Sequence, residues 1–257
     1  MTEKDHAHNA ALDRSLIRLF IDAPLAAGGT AALSAMQSNY LVNVMRLMRG
    51  VELLVFNGLD GEWLATLAAT SKNNAAVALI RQVRPQMSGP DIHYLFAPIK
   101  RAKLDYVVQK ATELGAAVIR PVMTRRTNAE RINVERLQAN VIEAAEQCGV
   151  LRMPEVLAPS KLEKALDQWE SSRRLIYCDE AAPIASPLAA LAHITPGPLA
   201  VLIGPEGGFD PAERERLMRL PFVHALSLGP RIMRADTAGV AAMALINAAL
   251  GDWRAQE

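Results

Sequence analysis

The sequence predicts an α/β protein in two parts: a small β-rich domain over residues 16–84, then a larger domain of alternating strands and helices over 91–257. Three observations carry this. Short apolar runs broken by turn residues fill the first third of the chain. A stretch with two prolines and a glycine, Arg84-Pro85-Gln86-Met87-Ser88-Gly89-Pro90, then favours an extended connector. Beyond it strand-like and helix-like patterns alternate, as in a parallel sheet covered by helices. With 257 residues, 51% of them hydrophobic and 21% charged, the chain can bury a core, which excludes wholesale disorder and coiled-coil or collagen-like structure.

In the first part the strand candidates are Leu16–Phe20, Glu52–Phe56, Trp63–Leu67 and Ala75–Ile80, separated by Gly28-Gly29, Asn57-Gly58 and Asp60-Gly61. A small barrel or curled sheet is the expected product. In the second part His93–Phe96 reads as a strand. Leu104, Val107, Val108, Ala111 and Leu114 then share one helical face that closes at Gly115. Ala117–Val122 is the next strand. A helix capped by Asn133 runs to Cys148, with Leu137, Val141, Ala144 and Cys148 on its buried stripe and Gly149 at its end. Ser160 and Glu163 form a candidate capping box, and Leu175–Cys178 and Leu199–Ile203 read as buried strands. Asp210, Pro211 and Glu213 supply cap, first-turn proline and box partner for a further helix. Val223–Leu228 is the last strand candidate, followed by a Gly229-Pro230 turn and an alanine-rich apolar helix from about Asp236 to Leu250.

The formal charge of +1 conceals an asymmetry: residues 14–84 carry +3, residues 100–152 carry +4, and the remainder carries −6. Arg18, Arg46 and Arg49 in the first region, with Lys100, Arg101, Lys103, Lys110, Arg120, Arg125, Arg126 and Arg131 in the second, form a candidate track for a phosphate backbone. An ordinary solvated face is the plain alternative on charge alone. The Arg125-Arg126 pair favours binding, because it lies beyond a strand's carboxyl end, where α/β proteins place functional loops.

Two cysteines, Cys148 and Cys178, are too few for a disulfide framework or a thiolate metal site and read as small core residues. His6, His8, His93, His193 and His224 lack ligand spacing, so no metal is expected. Met1–Ser15 has no apolar run and reads as a fraying end rather than a signal or anchor, and Ala238–Leu250 is too short to cross a bilayer. A soluble cytoplasmic protein with no membrane partner is expected. The P-loop, the nucleophile elbow and the dinucleotide fingerprint are all missing from the sequence.

The informative loops are Ile203-Gly204-Pro205-Glu206-Gly207-Gly208-Phe209 and Leu226-Ser227-Leu228-Gly229-Pro230-Arg231-Ile232-Met233-Arg234-Ala235-Asp236-Thr237-Ala238. Glycines bring backbone N–H and C=O groups within reach of a polar ligand. A single loop of this kind is more simply a tight turn. Two of them, expected on neighbouring strands, would wall one pocket.

These two blocks resemble the RsmE family of 16S ribosomal RNA uridine N3-methyltransferases, within the SPOUT superfamily. Lys103 to Gly115, the Glu146-Gln147-Cys148-Gly149 block with Arg152 and Pro154, and Arg18 with Val44-Met45-Arg46 agree with the same family, so the likeness spans about Arg18 to Leu250. The resemblance implies a PUA-like RNA-binding β-barrel, then a SPOUT-type methyltransferase domain whose C-terminal segment threads a trefoil knot. It implies homodimers that use S-adenosylmethionine to methylate uridine N3 in 16S rRNA of the 30S subunit, the family target being m3U1498. Carried onto this chain, cofactor contacts fall at Ile203, Gly204, Glu206, Gly207, Gly208, Leu228, Gly229, Ile232 and Met233. RNA phosphate contacts fall at Arg18, Arg46, Lys100, Lys103, Arg125, Arg126 and Arg152.

Uracil N3 bears a proton, so transfer needs a base or a group that stabilises the developing anion. Asp236 is the candidate base, with Arg234 and Arg18 as candidates for the anion; a helix N-cap is the structural alternative for Asp236. Two departures from the family pattern stand out. Ala235-Asp236 replaces the usual Thr-Glu, and Tyr40 stands where a histidine is usual. Ala235 and Asp236 keep open a non-catalytic RNA-binding or ribosome-assembly protein of the same fold. Because the loop motifs describe the cofactor better than the target base, a methyltransferase acting at another RNA position is a further alternative.

Overall fold

A computed structural model describes residues 16–71, 74–128, 131–183 and 186–254, without the side chains of residues 101 and 102. The readings of Met1–Ser15 as a fraying end and of Arg101 as a phosphate contact lie outside the described residues. The chain forms two compact units. The first runs to Ser88 and also includes Glu146–Met153; the second comprises Gly89–Ala145 and Pro154 onward.

In the first unit β1 (Arg18–Phe20), β2 (Thr30–Ala32), β3 (Glu52–Phe56), β4 (Glu62–Ala69) and β5 (Ala76–Arg84) form one sheet in the order β1-β3-β4-β5-β2. Only β1 and β3 pair in parallel. Alternation puts Leu53, Val55, Ala65, Leu67 and Val77 into a core closed by Leu19, Ile21, Leu33 and Leu41. Between β2 and β3 lies helix α1 (Ala35–Asn39), begun by a capping box of Ser34 and Gln37 that the sequence reading passed over. A π-helical turn, Tyr40–Val44, continues it. Arg46 follows with φ 54°, a left-handed conformation that is costly for a residue with a Cβ.

Glu62, the first residue of β4, is 1% exposed. Its two oxygens accept from Arg18 Nε at 2.6 Å and Arg84 Nε at 2.7 Å. Arg18 also donates to the carbonyls of Glu146 and Val150, Arg84 donates to that of Gly149, and the Arg18 guanidinium lies 4.5 Å from the Phe56 ring. These bonds hold the Glu146–Met153 segment in the first unit.

The second unit is built on β6 (Ile92–Phe96), β7 (Val118–Met123), β8 (Glu155–Val156), β9 (Ser160–Lys161), β10 (Arg174–Cys178), β11 (Leu199–Ile203) and β12 (Val223–Leu226). All pair in parallel in the order β12-β10-β11-β6-β7-β8, with β9 also on β7. The helices are α2 (Arg101–Glu113), α3 (Val134–Cys148), α4 (Leu162–Asp167), α5 (Pro187–Ala192), α6 (Pro211–Met218) and α7 (Ala235–Ala249). Every residue of β11 is buried, which is why it reads as an unbroken apolar run. Helix α7 approaches β6 closely at Gly239, where a Cβ would lie 2.1 Å from the buried Tyr94 hydroxyl. Gly239→Ala is therefore expected to destabilise the protein by about 1–3 kcal/mol, read from chemical denaturation; an unchanged midpoint contradicts this packing.

Several expectations are corrected. The two glycine loops do not follow neighbouring strands, because β10 lies between β11 and β12. The last strand ends at Leu226 rather than Leu228. Cys148 is exposed, its place on the buried stripe of α3 being taken by Ala145. Ser160 and Glu163 form no capping box: Ser160 pairs in β9 and Lys161 occupies the N-cap. The box of Asp210 with Glu213 forms around Pro211 in the first turn, as expected. Asn133 Oδ1 accepts from the Arg136 backbone N–H, as a cap does.

Candidate active site

Parallel pairing brings the carboxyl ends of β6, β7, β10, β11 and β12 to one edge of the sheet, where open α/β sheets bind ligands. The loops after β11 and β12 stand two strand spacings apart, about 9.5 Å. The start of the β10 loop lies between them, and it brings in two carboxylates the sequence reading did not single out. Asp179, almost fully buried, pairs with Arg214 at 2.9 Å. Glu180 lies so close to Gly208 that a Cβ there would stand 2.8 Å from its Oε1. No motif marks either residue, since the signal is the strand order itself.

In the first loop Ile203 is buried at the end of β11, and the Phe209 ring covers Gly204, where a Cβ would meet it at 2.5 Å. Glu206 and Gly207 are exposed, and Gly208 holds φ 66°. Arg126 Nη1 donates to Gly207 O at 2.9 Å, tying the β7 loop to this one. In the second loop Gly229 holds φ 109° with open space where a side chain would project. Leu228 and Met233 are half-buried, and Ile232 is 88% exposed. The exposed Glu206 and Gly207, the uncovered Ile232 side chain and the space beside Gly229 leave room for a ligand with polar and apolar parts.

Asp236 lies in the first turn of α7, two residues past the N-cap Arg234. It is therefore not the N-cap. Its Oδ1 accepts from the Thr237 backbone N–H at 2.9 Å, and its Oδ2 lies 3.5 Å from Lys103 Nζ. Arg234 Nε is 3.9 Å from Oδ1, with its side chain 76% exposed. Partial burial acts to raise the Asp236 pKa; the Thr237 N–H, Lys103 and Arg234 outweigh it, holding the carboxyl below its usual range and ionised at neutral pH.

The remaining basic residues divide. Arg46 and Lys100 are exposed. Arg125 pairs with Asp210 at 3.1 Å and lies 3.7 Å from Glu163, while its backbone N–H donates to Glu213. Arg152 donates to Ser88 O at 2.6 Å. Arg18, expected to meet substrate, instead has its guanidinium engaged by Glu62 and two backbone carbonyls. Burial pushes the Cys178 thiol up to about 12, so it is no nucleophile at neutral pH.

A family model described as an RNA methyltransferase domain matches residues 87–247, and one described as an RNA methyltransferase PUA domain matches residues 33–80. Ribosomal RNA small subunit methyltransferase E of Rickettsia conorii is 32% identical over 235 residues, 89% of this chain and 94% of that protein. The chain belongs to the RsmE family. Among solved structures, a putative methyltransferase from Legionella pneumophila in complex with the cofactor SAM has a TM-score of 0.81 at 29% identity, covering 92% of this chain and 99% of that one. A ribosomal RNA small subunit methyltransferase E from Neisseria gonorrhoeae bound to S-adenosyl methionine has a TM-score of 0.82 at 27% identity, covering 93% and 100%. Among the described residues of this RsmE family member no helix is long and apolar enough to cross a membrane.

Proposed function

We propose that this protein transfers a methyl group from S-adenosylmethionine to N3 of a uridine in 16S rRNA, acting as a homodimer on the 30S subunit. The observation that carries this reading is the sheet edge at which two exposed glycine loops flank β10 while Asp236 begins the helix that follows the second loop.

Bound cofactor supplies an electrophilic methyl on a sulfonium, so the protein's work is positioning and charge control. The residues that would hold it are Glu206, Gly207 and Gly208 of the first loop and Leu228, Gly229, Ile232 and Met233 of the second, with Ile203 at the end of β11. The ionised Asp236 accepts the N3 proton as the new bond forms. Arg234, with its side chain 76% exposed, stabilises negative charge on the base or an adjoining phosphate. Arg46, Lys100, Arg125, Arg126 and Arg152 present positive charge to the RNA backbone, whereas the burial and bonding of Arg18 favour a structural role. The half-exposed apolar residues Val240, Ala241, Ala244 and Leu245 of α7 support a second copy as partner.

Incubation with S-adenosylmethionine and small subunits lacking the modification, followed by nucleoside mass spectrometry, is expected to yield N3-methyluridine. Cofactor binding without any methylated nucleoside overturns the catalytic reading and favours a binding protein of the same fold. A different methylated position overturns the target. Light scattering is expected to give twice the 27.9 kDa chain mass; a monomer contradicts the dimer.

A further inference from the structure

We propose that Lys103 and Asp236 form an acceptor–donor pair that reads the imide edge of the target uracil, Asp236 Oδ2 taking the N3–H and Lys103 Nζ donating to a carbonyl oxygen beside it. This rests on the reading of the protein as a uridine N3-methyltransferase. The sequence assigned Lys103 to a phosphate, but the structure joins it to the proposed base.

The geometry of the carboxylate carries the inference. Its two oxygens are not equivalent. Oδ1 faces the helix and accepts from the Thr237 N–H at 2.9 Å, with the Thr237 hydroxyl at 3.3 Å and Arg234 Nε at 3.9 Å. Oδ2 has Lys103 alone among the described residues, at 3.5 Å, which is too long for a strong charge-assisted bond. An oxygen with an open lone pair thus stands beside an ammonium with protons to give. Both side chains keep an exposed edge, 37% for Lys103 and 13% for Asp236, so a planar base can reach them.

That arrangement complements uracil and not cytosine. Uracil offers an N–H at N3 flanked by two C=O groups; cytosine offers a bare N3 acceptor beside an amino donor. With cytosine Asp236 would face another acceptor at N3, and Lys103 would face the amino donor where it stands on the 4-position side. Mismatched polar groups are what give sites built on hydrogen bonds their high selectivity. The pair also serves the reaction. As the N3–C bond forms and the methyl–sulfur bond breaks, its electron pair goes to sulfur and the N3 proton goes to Asp236. The charge that builds on the flanking oxygen meets the Lys103 side chain.

The test compares RNA carrying uridine, 2-thiouridine or 4-thiouridine at the target, since sulfur is a weaker acceptor than oxygen. The wild-type protein is expected to lose at least tenfold in single-turnover rate on one thio-substrate beyond its loss on the other. Lys103→Met should be about 100-fold slower on uridine with cofactor affinity unchanged by calorimetry, and should no longer distinguish the two thio-substrates. Lys103→Arg, which keeps a donor, should recover part of the rate. Retention by Lys103→Met of the wild-type thio-ratio, or an equal slowing on all three substrates, overturns the proposal. Failure of the wild-type protein to methylate uridine at all would instead overturn the underlying assignment of activity.

Discussion

Asp236→Asn is expected to lower the methyl-transfer rate by about 10²–10⁴-fold, the usual contribution of a positioned proton acceptor, while leaving cofactor affinity within about twofold. The substitution keeps the size of the side chain and an oxygen able to accept from the Thr237 N–H, so the first turn of α7 stays satisfied. What it removes is the negative charge beside Lys103. Since Lys103, Arg234 and the helix turn hold the carboxyl below its usual range, it is a weak base in equilibrium terms. It is nevertheless ionised at neutral pH, and in the proposed reaction it would take the proton as the N3 electrons are drawn into the new bond. A single-turnover rate equal to wild type would leave Asp236 as a structural acceptor for the Thr237 N–H. Glu at this position, the residue usual in the family, is expected to retain activity.

Replacing Glu62 with alanine is expected to cost the first unit about 3–5 kcal/mol, the range for removing one partner of a buried ion pair. Two guanidinium groups would be left facing each other with no carboxylate between them. Burial acts to raise the Glu62 pKa, but hydrogen bonds and charge from Arg84 and Arg18 outweigh it and hold the carboxyl below 4.5. A folded-state pKa below the unfolded one gives stability that is present above about pH 4.5 and is lost as pH falls through the folded value. Denaturation midpoints are therefore expected to drop on acidification below that point in the wild type and to change less in Glu62→Gln. A midpoint of Glu62→Ala matching wild type at pH 7 would show that the three groups are not coupled.

Local pattern made much of the fold legible. Strands such as Leu199–Ile203 stand out as unbroken apolar runs, and Asp210-Pro211 with Glu213 marks a helix start through bonds between near neighbours. The order of strands was not legible, because β10 enters between β11 and β12 through contacts far apart in sequence. That one insertion separates the two glycine loops and brings Asp179 and Glu180 to the site edge. Partner choice was hidden for the same reason. Arg18 and Lys103 look like phosphate ligands in one dimension, yet Arg18 pairs with the buried Glu62 and Lys103 lies beside Asp236. Helical spacing alone places Cys148 on the buried stripe, whereas it is exposed in the last turn of α3.

Calorimetric titration with S-adenosylmethionine of Ile232→Asp and Gly229→Val, beside wild type, tests most directly whether the paired loops hold the cofactor. Ile232 is 88% exposed, so its replacement should leave the melting temperature nearly unchanged. Loss of one apolar contact with the ligand, about 1.5–3 kcal/mol, should weaken affinity about 10–100-fold. Gly229→Val should abolish measurable binding, by forcing a Cβ onto φ 109° and filling the open space beside it. Wild-type affinity in both folded variants would contradict a cofactor seat between these loops.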